Sequence, residues 1–335
     1  MPVSRQCYSL AFECTPLIDR SSLLVTKMVE FTVPSQGSRV TTFREMLIAT
    51  EEQLIVAGVF CGHGYESEHD EAVALVLTAA SRSIVNTGAE ILDEPYPDFA
   101  ASVLNTFMSK RCIERLPVAY ITGEAWLGPL CFKSDARALV PRSPVAELIL
   151  NRFEPWYRDS SPQVIVDVCC GGGSLGMLAK SAFPEAVVLL SDIDSDAIGL
   201  ARDNAAVHDV DAIVRADLLS WCADNVVDII LANPPYVDAE DMRDLPPEYL
   251  HEPGLALSGG EDGLDLVRVM LIDAARILSP AGILVLEVGN SVDALEGLSE
   301  VLPPLWVELE QGGHGVAVFM AQDLAQWAAQ ELNSP

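Results

Sequence analysis

Val164-Ile165-Val166-Asp167-Val168-Cys169-Cys170-Gly171-Gly172-Gly173-Ser174-Leu175-Gly176 is the stretch on which the fold turns. Val164 to Val168 is apolar on nearly every residue and reads as a parallel strand buried on both faces. The glycines after it let the backbone turn tightly and come close to a ligand, which a β-carbon would prevent. A helix should follow from Ser174. Gly171, Gly173 and Gly176 satisfy G-x-G-x-x-G, and Asp192 lies at about the distance expected of a ribose-binding acid. On these residues alone a nicotinamide dinucleotide is an open reading.

Outward from that loop, the rhythm from Gln163 onward alternates apolar strand and amphipathic helix, which predicts a doubly wound, Rossmann-like α/β sheet. The expected strands are Val164 to Val168, Val187 to Ile193, Ala212 to Ala216, Val226 to Ala232, Ile283 to Val288, Trp306 to Leu309 and Val316 to Met320. Helices are expected at Ser195 to His208 and Leu264 to Leu278. Gly312-Gly313 divides Leu305 to Met320 into what reads as a closing antiparallel hairpin.

Toward the amino terminus the pattern changes. Phe43, Met46, Leu47 and Leu54 recur at helical spacing, and Asp70 to Leu77 and Phe99 to Ile113 read as further helices. Residues 41–115 are therefore expected to form a small helical substrate-recognition domain. Gly62-His63-Gly64 is a turn within it, its histidine read as solvated or structural ahead of a substrate contact. Short β-rich runs broken by Gly128-Pro129 make 116–145 a β-hairpin linker, closed by Ser143 as N-cap and Pro144 at the first helical position. The catalytic domain is then 146–335. Residues 1–40 show no periodicity and more basic than acidic residues, and read as a disordered extension or a start codon placed too early.

Composition narrows the class. Half the residues are apolar and the net charge is -29, which leaves little for a basic surface that tracks nucleic-acid phosphates. No direct contact with nucleic acid is expected; such acidity suits a basic partner or solubility. Cys7, Cys14, Cys61, Cys112, Cys131, Cys169, Cys170 and Cys222 form no C-x-x-C pair, and the histidines add no ligand spacing, so reduced thiols and no metal are expected. The longest apolar runs fall short of the ~18 residues a bilayer span needs, and no export signal is legible, so a soluble cytoplasmic protein with no membrane contact is expected.

The strand ends carry the chemistry. Asp167 would set a carboxylate near where a dinucleotide's pyrophosphate must lie, and like charges that close are costly. A ligand with a cationic ammonium and no phosphate tolerates it; S-adenosylmethionine is such a ligand. Asp192 then suits two ribose hydroxyls and Asp217 an adenine amino group. At the fourth strand end comes Asn233-Pro234-Pro235-Tyr236. The Asn233 side-chain carbonyl and the backbone carbonyl of Pro234, which has no N–H, can hold both hydrogens of a planar –NH2 group, with the Tyr236 ring as a flat wall. An amide nitrogen is a poor nucleophile, and two acceptors on its hydrogens favour positive charge on it as it attacks. These residues point to an enzyme that alkylates an amide or amine nitrogen. A flipped-out adenine presents the same –NH2 group, so a nucleic-acid adenine N6-methyltransferase is the rival. The acidic run Asp238-Ala239-Glu240-Asp241 reads either as an attractor for a basic substrate or as a solvated loop.

Taken together, Gly62-His63-Gly64, Asp70 to Val73, Leu139 to Pro144, Asn233 to Met242, Asp244-Leu245-Pro246, Glu248-Tyr249, His251-Glu252-Pro253 and Gly260 to Leu264 resemble the protein-glutamine N5-methyltransferases of the HemK/PrmB group. The resemblance runs from about Gly62 to Met320 and implies a class I S-adenosylmethionine-dependent methyltransferase fold. It implies N5-methylation of one glutamine in the third protein of the large ribosomal subunit, before or during ribosome assembly. Release-factor methylation is the alternative within the family. By position it implies a cofactor site of Asp167, Cys169, Cys170, Gly171, Gly172, Gly173, Asp192, Asp217, Leu218 and Asn233, with the substrate on Asn233, Pro234, Pro235 and Tyr236. The loop departs from the family, in which Thr-Gly-Ser-Gly is usual after the first cysteine; here Cys170-Gly171-Gly172-Gly173 follows. A hydroxyl is lost and the ligand-facing glycines are kept, and the paired cysteines read as buried, inert thiols.

Overall fold

Both faces of the central strands are apolar, and this decides how the chain is layered. The computed structural model describes residues 41–84, 87–157, 161–298, 302–310 and 312–331, so the extension at 1–40 lies outside the described residues. The chain divides into two compact units, with the boundary between Thr122 and Gly123.

In the first unit, α1 (Phe43–Ala57), α2 (Glu68–Ala79), α3 (Asp98–Cys112) and α4 (Val118–Thr122) enclose a core of their own. Thr42 and Glu45 form a capping box at the start of α1, each side chain accepting the other's backbone N–H. Phe43, Met46, Leu47 and Leu54 are all buried, as their spacing requires, and the Phe43 ring meets Tyr96 edge-on at 4.9 Å. Arg111 on α3 donates to both carboxylate oxygens of Glu71 on α2 at 2.7 and 2.9 Å, and to the carbonyl of Phe60 at 2.9 Å. Gly62-His63-Gly64 sits between α1 and α2 as expected, and His63 is buried, which fits the structural alternative and not the solvated one.

The second unit opens with the antiparallel pair β1 (Glu124–Leu127) and β2 (Leu130–Lys133), then α5 (Val145–Leu150). The expected N-cap is displaced by one residue: Pro144 holds the cap position. Ser143 Oγ accepts from Val145 N–H at 3.3 Å while donating its own proton elsewhere. Strand and helix then alternate as β3 (Val164–Val168), α6 (Ser174–Ala182), β4 (Val187–Asp192), α7 (Ser195–Ala205), β5 (Ala212–Arg215) and β6 (Val227–Ala232). After the short α8 (Asp241–Asp244) come α9 (Asp265–Ile277), β7 (Leu278–Glu287), α10 (Val292–Glu296), β8 (Leu305–Trp306), β9 (Val316–Met320) and α11 (Ala321–Glu331).

The seven-stranded sheet has the order β5-β4-β3-β6-β7-β9-β8, with β9 antiparallel to both its neighbours. Alternate residues divide between two cores. Val166, Val168, Ile230, Ala232, Leu284 and Leu286 face α9 and α11, while Ile165, Ile229, Leu231, Ile283 and Val285 face α5 and α6. β7 starts earlier than its hydrophobicity suggests, because Leu278 leaves α9 already extended and pairs with Val227. β8 is shorter than expected; beyond Trp306 one further backbone bond, Val307 N–H to Val316 O at 3.0 Å, extends the pairing.

Candidate active site

β3 and β6 are parallel neighbours with Val168 opposite Ala232, so the loop starting at Cys169 and the segment starting at Asn233 leave the sheet side by side. Here the strand order reverses direction, the place where open α/β sheets leave a crevice. A cavity of about 210 Å³ lies there, more than ten times the ~10–15 Å³ that a single water requires. Its walls include Asp167, Cys169, Cys170, Gly171, Gly172, Asp192, Asp217, Leu218, Asn233, Pro235 and Tyr236. Residues from four separate strand ends, chosen from sequence as one site, thus share one wall. Gly173 and Pro234 stand behind it: Gly173 turns the chain into α6 at φ +83°, and Pro234 is buried.

The glycine loop is held by carboxylates. Asp167 Oδ2 accepts from Gly176 N–H at 2.8 Å, Asp192 Oδ2 from Gly171 N–H at 2.9 Å, and Asp192 Oδ1 from Asp194 N–H at 2.9 Å. Burial raises the Asp167 carboxyl to about 7, against the pull of the Gly176 N–H, and burial also raises Asp192. Cys169 at φ +56° and Leu218 at φ +45° take up the left-handed conformation that residues with a β-carbon avoid, and both line the cavity. Burial, with Asp167 and Asp192 nearby, pushes both loop thiols far above the ordinary range, so neither Cys169 nor Cys170 offers a reactive thiolate.

The Asn-Pro-Pro-Tyr segment is clasped from the far end of β7. Tyr236 O–H donates to Glu287 Oε1 at 3.1 Å, and Ser291 Oγ donates to the Tyr236 carbonyl at 2.9 Å. Between them Gly289, at φ +49°, lies so close to the tyrosine ring that a β-carbon would stand 2.4 Å from Cε2. Asn233 Oδ1 is buried and has no hydrogen-bond partner. A buried acceptor left this way costs on the order of 1–3 kcal/mol unless a ligand supplies a donor. The acidic run beyond Tyr236 is partly internal scaffold: Asp238 Oδ1 accepts from Glu240 and Asp241 N–H, both at 2.8 Å, and Asp241 Oδ2 accepts from Asn290 at 3.0 Å.

Sequence reading did not single out Glu287 as a site residue, nor the ion pair of Arg142 with Glu252. Arg142 donates to both Glu252 oxygens at 2.6 and 2.7 Å, and Val140 N–H donates to Glu252 Oε1 at 2.9 Å. Glu287 Oε2 also accepts from Ser143 O–H at 2.5 Å. A signal for Glu287 existed: like Asn233 it stands at the carboxyl end of an apolar run. Arg142 and Glu252 are 110 positions apart, and no local pattern links them.

Asp167, Asp192, Asp194, Asp217 and Glu287 line the cavity, facing Arg137 and Arg142. Arg137 is engaged by Asp135 and Asp203, and Arg142 by Glu252, so the wall keeps an excess of negative charge. It suits a cationic ligand. Among the described residues there is no group of three or more His, Cys, Asp or Glu able to hold a metal, and no helix is long and apolar enough to cross a membrane.

A family model described as methyltransferase small domain matches residues 145–252, and sheet and cavity together define a class I methyltransferase fold. The chain is 35% identical over 294 residues to the ribosomal protein uL3 glutamine methyltransferase of Francisella tularensis subsp. tularensis, covering 85% of this chain and 92% of that one. The protein of the same name from Bordetella pertussis is 38% identical over 287 residues, 84% of this chain and 96% of that one. The one from Neisseria meningitidis serogroup A is 34% identical over 300 residues, 88% and 98% of the two chains. The chain belongs to the ribosomal protein uL3 glutamine methyltransferase family.

Proposed function

We propose that this protein transfers a methyl group from S-adenosylmethionine to the side-chain amide nitrogen of a glutamine in ribosomal protein uL3, in the cytoplasm, before or during ribosome assembly. One observation carries the reading: Asn233 Oδ1 is buried without a partner at a strand end beside the glycine loop. An –NH2 group placed there would supply the donor it lacks. The names of the relatives support uL3 as the target, ahead of release factors.

The cavity fits the cofactor. Its excess of carboxylates answers a cation, and Asp167, raised to about 7 by burial, gains from one. Cys169 to Gly173, Asp192, Asp217 and Leu218 would hold the cofactor, with Asp192 offering acceptors to hydroxyls. When bound, it supplies a methyl group on a positively charged sulfur. The protein's own residues do the rest. Asn233 Oδ1 and the Pro234 carbonyl accept the two hydrogens of the glutamine amide, aim its lone pair and favour positive charge on the nitrogen. Pro235, Tyr236 and Leu255 line the cavity with apolar surface that limits the water around the nitrogen. No strong base is needed, since the nitrogen becomes acidic only as the new bond forms and its proton then passes to water. We assign substrate recognition to the helical residues 41–115, with 116–145 as linker and 146–335 as the catalytic domain.

The test is to incubate the protein with methyl-labelled cofactor and, in parallel, with unmodified ribosomal proteins, release factors and DNA. Label on a uL3 glutamine is the expected result. Label on release factors or adenine instead would replace the reading.

A further inference from the structure

Tyr236 is held by three residues of one short segment, Glu287, Gly289 and Ser291, taken at alternate positions from the last residue of β7 onward. Of these, Glu287 has a side chain whose burial is hard to justify by stability. It is 5% exposed, lines the cavity, and among the described residues meets no cation at hydrogen-bond distance: it is bonded to two hydroxyls, Tyr236 and Ser143. Arg142, the nearby guanidinium, is committed in bidentate fashion to Glu252. A buried carboxylate without a paired cation is costly, and two hydroxyl donors offset only part of that cost. Asp167 and Asp192, which also line the cavity, spend their hydrogen bonds on the glycine loop. Glu287 is bonded instead to the tetrapeptide proposed to hold the amide.

We propose that Glu287 is a positioning residue for amide methylation: its carboxylate fixes the Tyr236 ring through the O–H bond and places negative charge behind the tetrapeptide where the attacking nitrogen becomes positive. This rests on the proposed amide transfer. The charge is useful only in the transition state, because the resting amide is neutral, so its effect falls on kcat and not on binding. The groups that face Glu287 are Tyr236, Ser143, Arg142 and His314, and burial holds its carboxyl above the usual range.

Glu287→Gln separates charge from shape. The glutamine oxygen can still accept from Tyr236 O–H, and its –NH2 group can donate to Ser143 Oγ, so the clasp is kept while the charge is lost. Steady-state kinetics on unmodified uL3, with cofactor titrations as the check on folding, are run on wild type, Glu287→Gln, Tyr236→Phe and the double variant. Glu287→Gln is expected to lower kcat about ten- to a hundredfold, with the cofactor dissociation constant and KM for uL3 unchanged. Tyr236→Phe should lower kcat as well, and the double variant should fall by less than the product of the single losses, because the O–H bond that Tyr236→Phe removes is weaker once its acceptor has lost its charge. An undiminished kcat in Glu287→Gln, multiplicative losses in the double variant, or a loss confined to KM would each overturn the inference while leaving the activity standing. A wild-type protein that methylates no glutamine would remove both together.

Discussion

The two edges of the cavity are built by opposite means. The glycine loop after β3 is held by backbone N–H groups donating to Asp167 and Asp192 on its own and the adjacent strand. The Asn-Pro-Pro-Tyr segment after β6 is held by side chains and a close-packed glycine that arrive from the end of β7. The first arrangement leaves carboxylate lone pairs and open backbone free to grip a ligand. The second fixes the direction of a side chain. Affinity for the cofactor and geometry for the reaction are therefore separable, and substitutions on the two edges should affect different measurements.

Asn233→Ala should have the largest effect, lowering kcat about a hundred- to a thousandfold while calorimetric titration still shows cofactor binding; a parallel loss of both would break the comparison. Gly289→Ala comes next. Its β-carbon would lie 2.4 Å from Tyr236 Cε2 at a residue with φ +49°, so the fold should lose about 1–3 kcal/mol in denaturant titrations, with kcat falling alongside. On the other edge, Asp192→Asn puts an –NH2 group against backbone N–H donors and should weaken cofactor binding about tenfold. Its kcat at saturating cofactor should stay near the wild-type value, and a large fall there would show that the edges are not independent.

The last effect, no more than about tenfold for each pH unit, is a dependence on pH. The Asp167 carboxyl is raised to about 7 in the folded protein, against an unfolded value of about 3.9. Between those values the folded state keeps a proton that the unfolded state has lost, so this group's contribution to stability is full at the acid end and is lost as pH rises through about 7. A cationic ligand reverses the preference, favouring the ionised form. Cofactor affinity should therefore rise by at most about tenfold per pH unit up to neutrality and level off above it, and Asp167→Asn should flatten the profile. A profile unchanged by that substitution would take the charge argument away from this edge.

Much of this was legible in the chain itself because it depends on local pattern. Near-continuous apolar runs placed five strands of the sheet to within a residue or two, and the helical spacing of Phe43, Met46, Leu47 and Leu54 placed α1. The errors lie where partners overrule pattern. β7 extends back to Leu278 because Val227 pairs with it, and the Ser143 hydroxyl is drawn to Glu287 as well as to the helix it was expected to cap. His63, read as solvated or structural, is buried, and the choice between those two was not legible because neighbouring packing is invisible to a Gly-His-Gly triplet.

Sequence by itself determined the alternating layers, the glycine loop and the aspartates and asparagine at successive strand ends, because strand period and turn chemistry are properties of neighbours along the chain. Only the tertiary structure decided that Asn233 has an acceptor with no partner, that Glu252 takes up the charge of Arg142, and that Glu287, Gly289 and Ser291 close around Tyr236. Those facts depend on side chains many residues apart meeting in a water-poor interior. There an unpaired acceptor or an uncompensated charge acquires its energetic weight from what surrounds it, which no local stretch of sequence specifies.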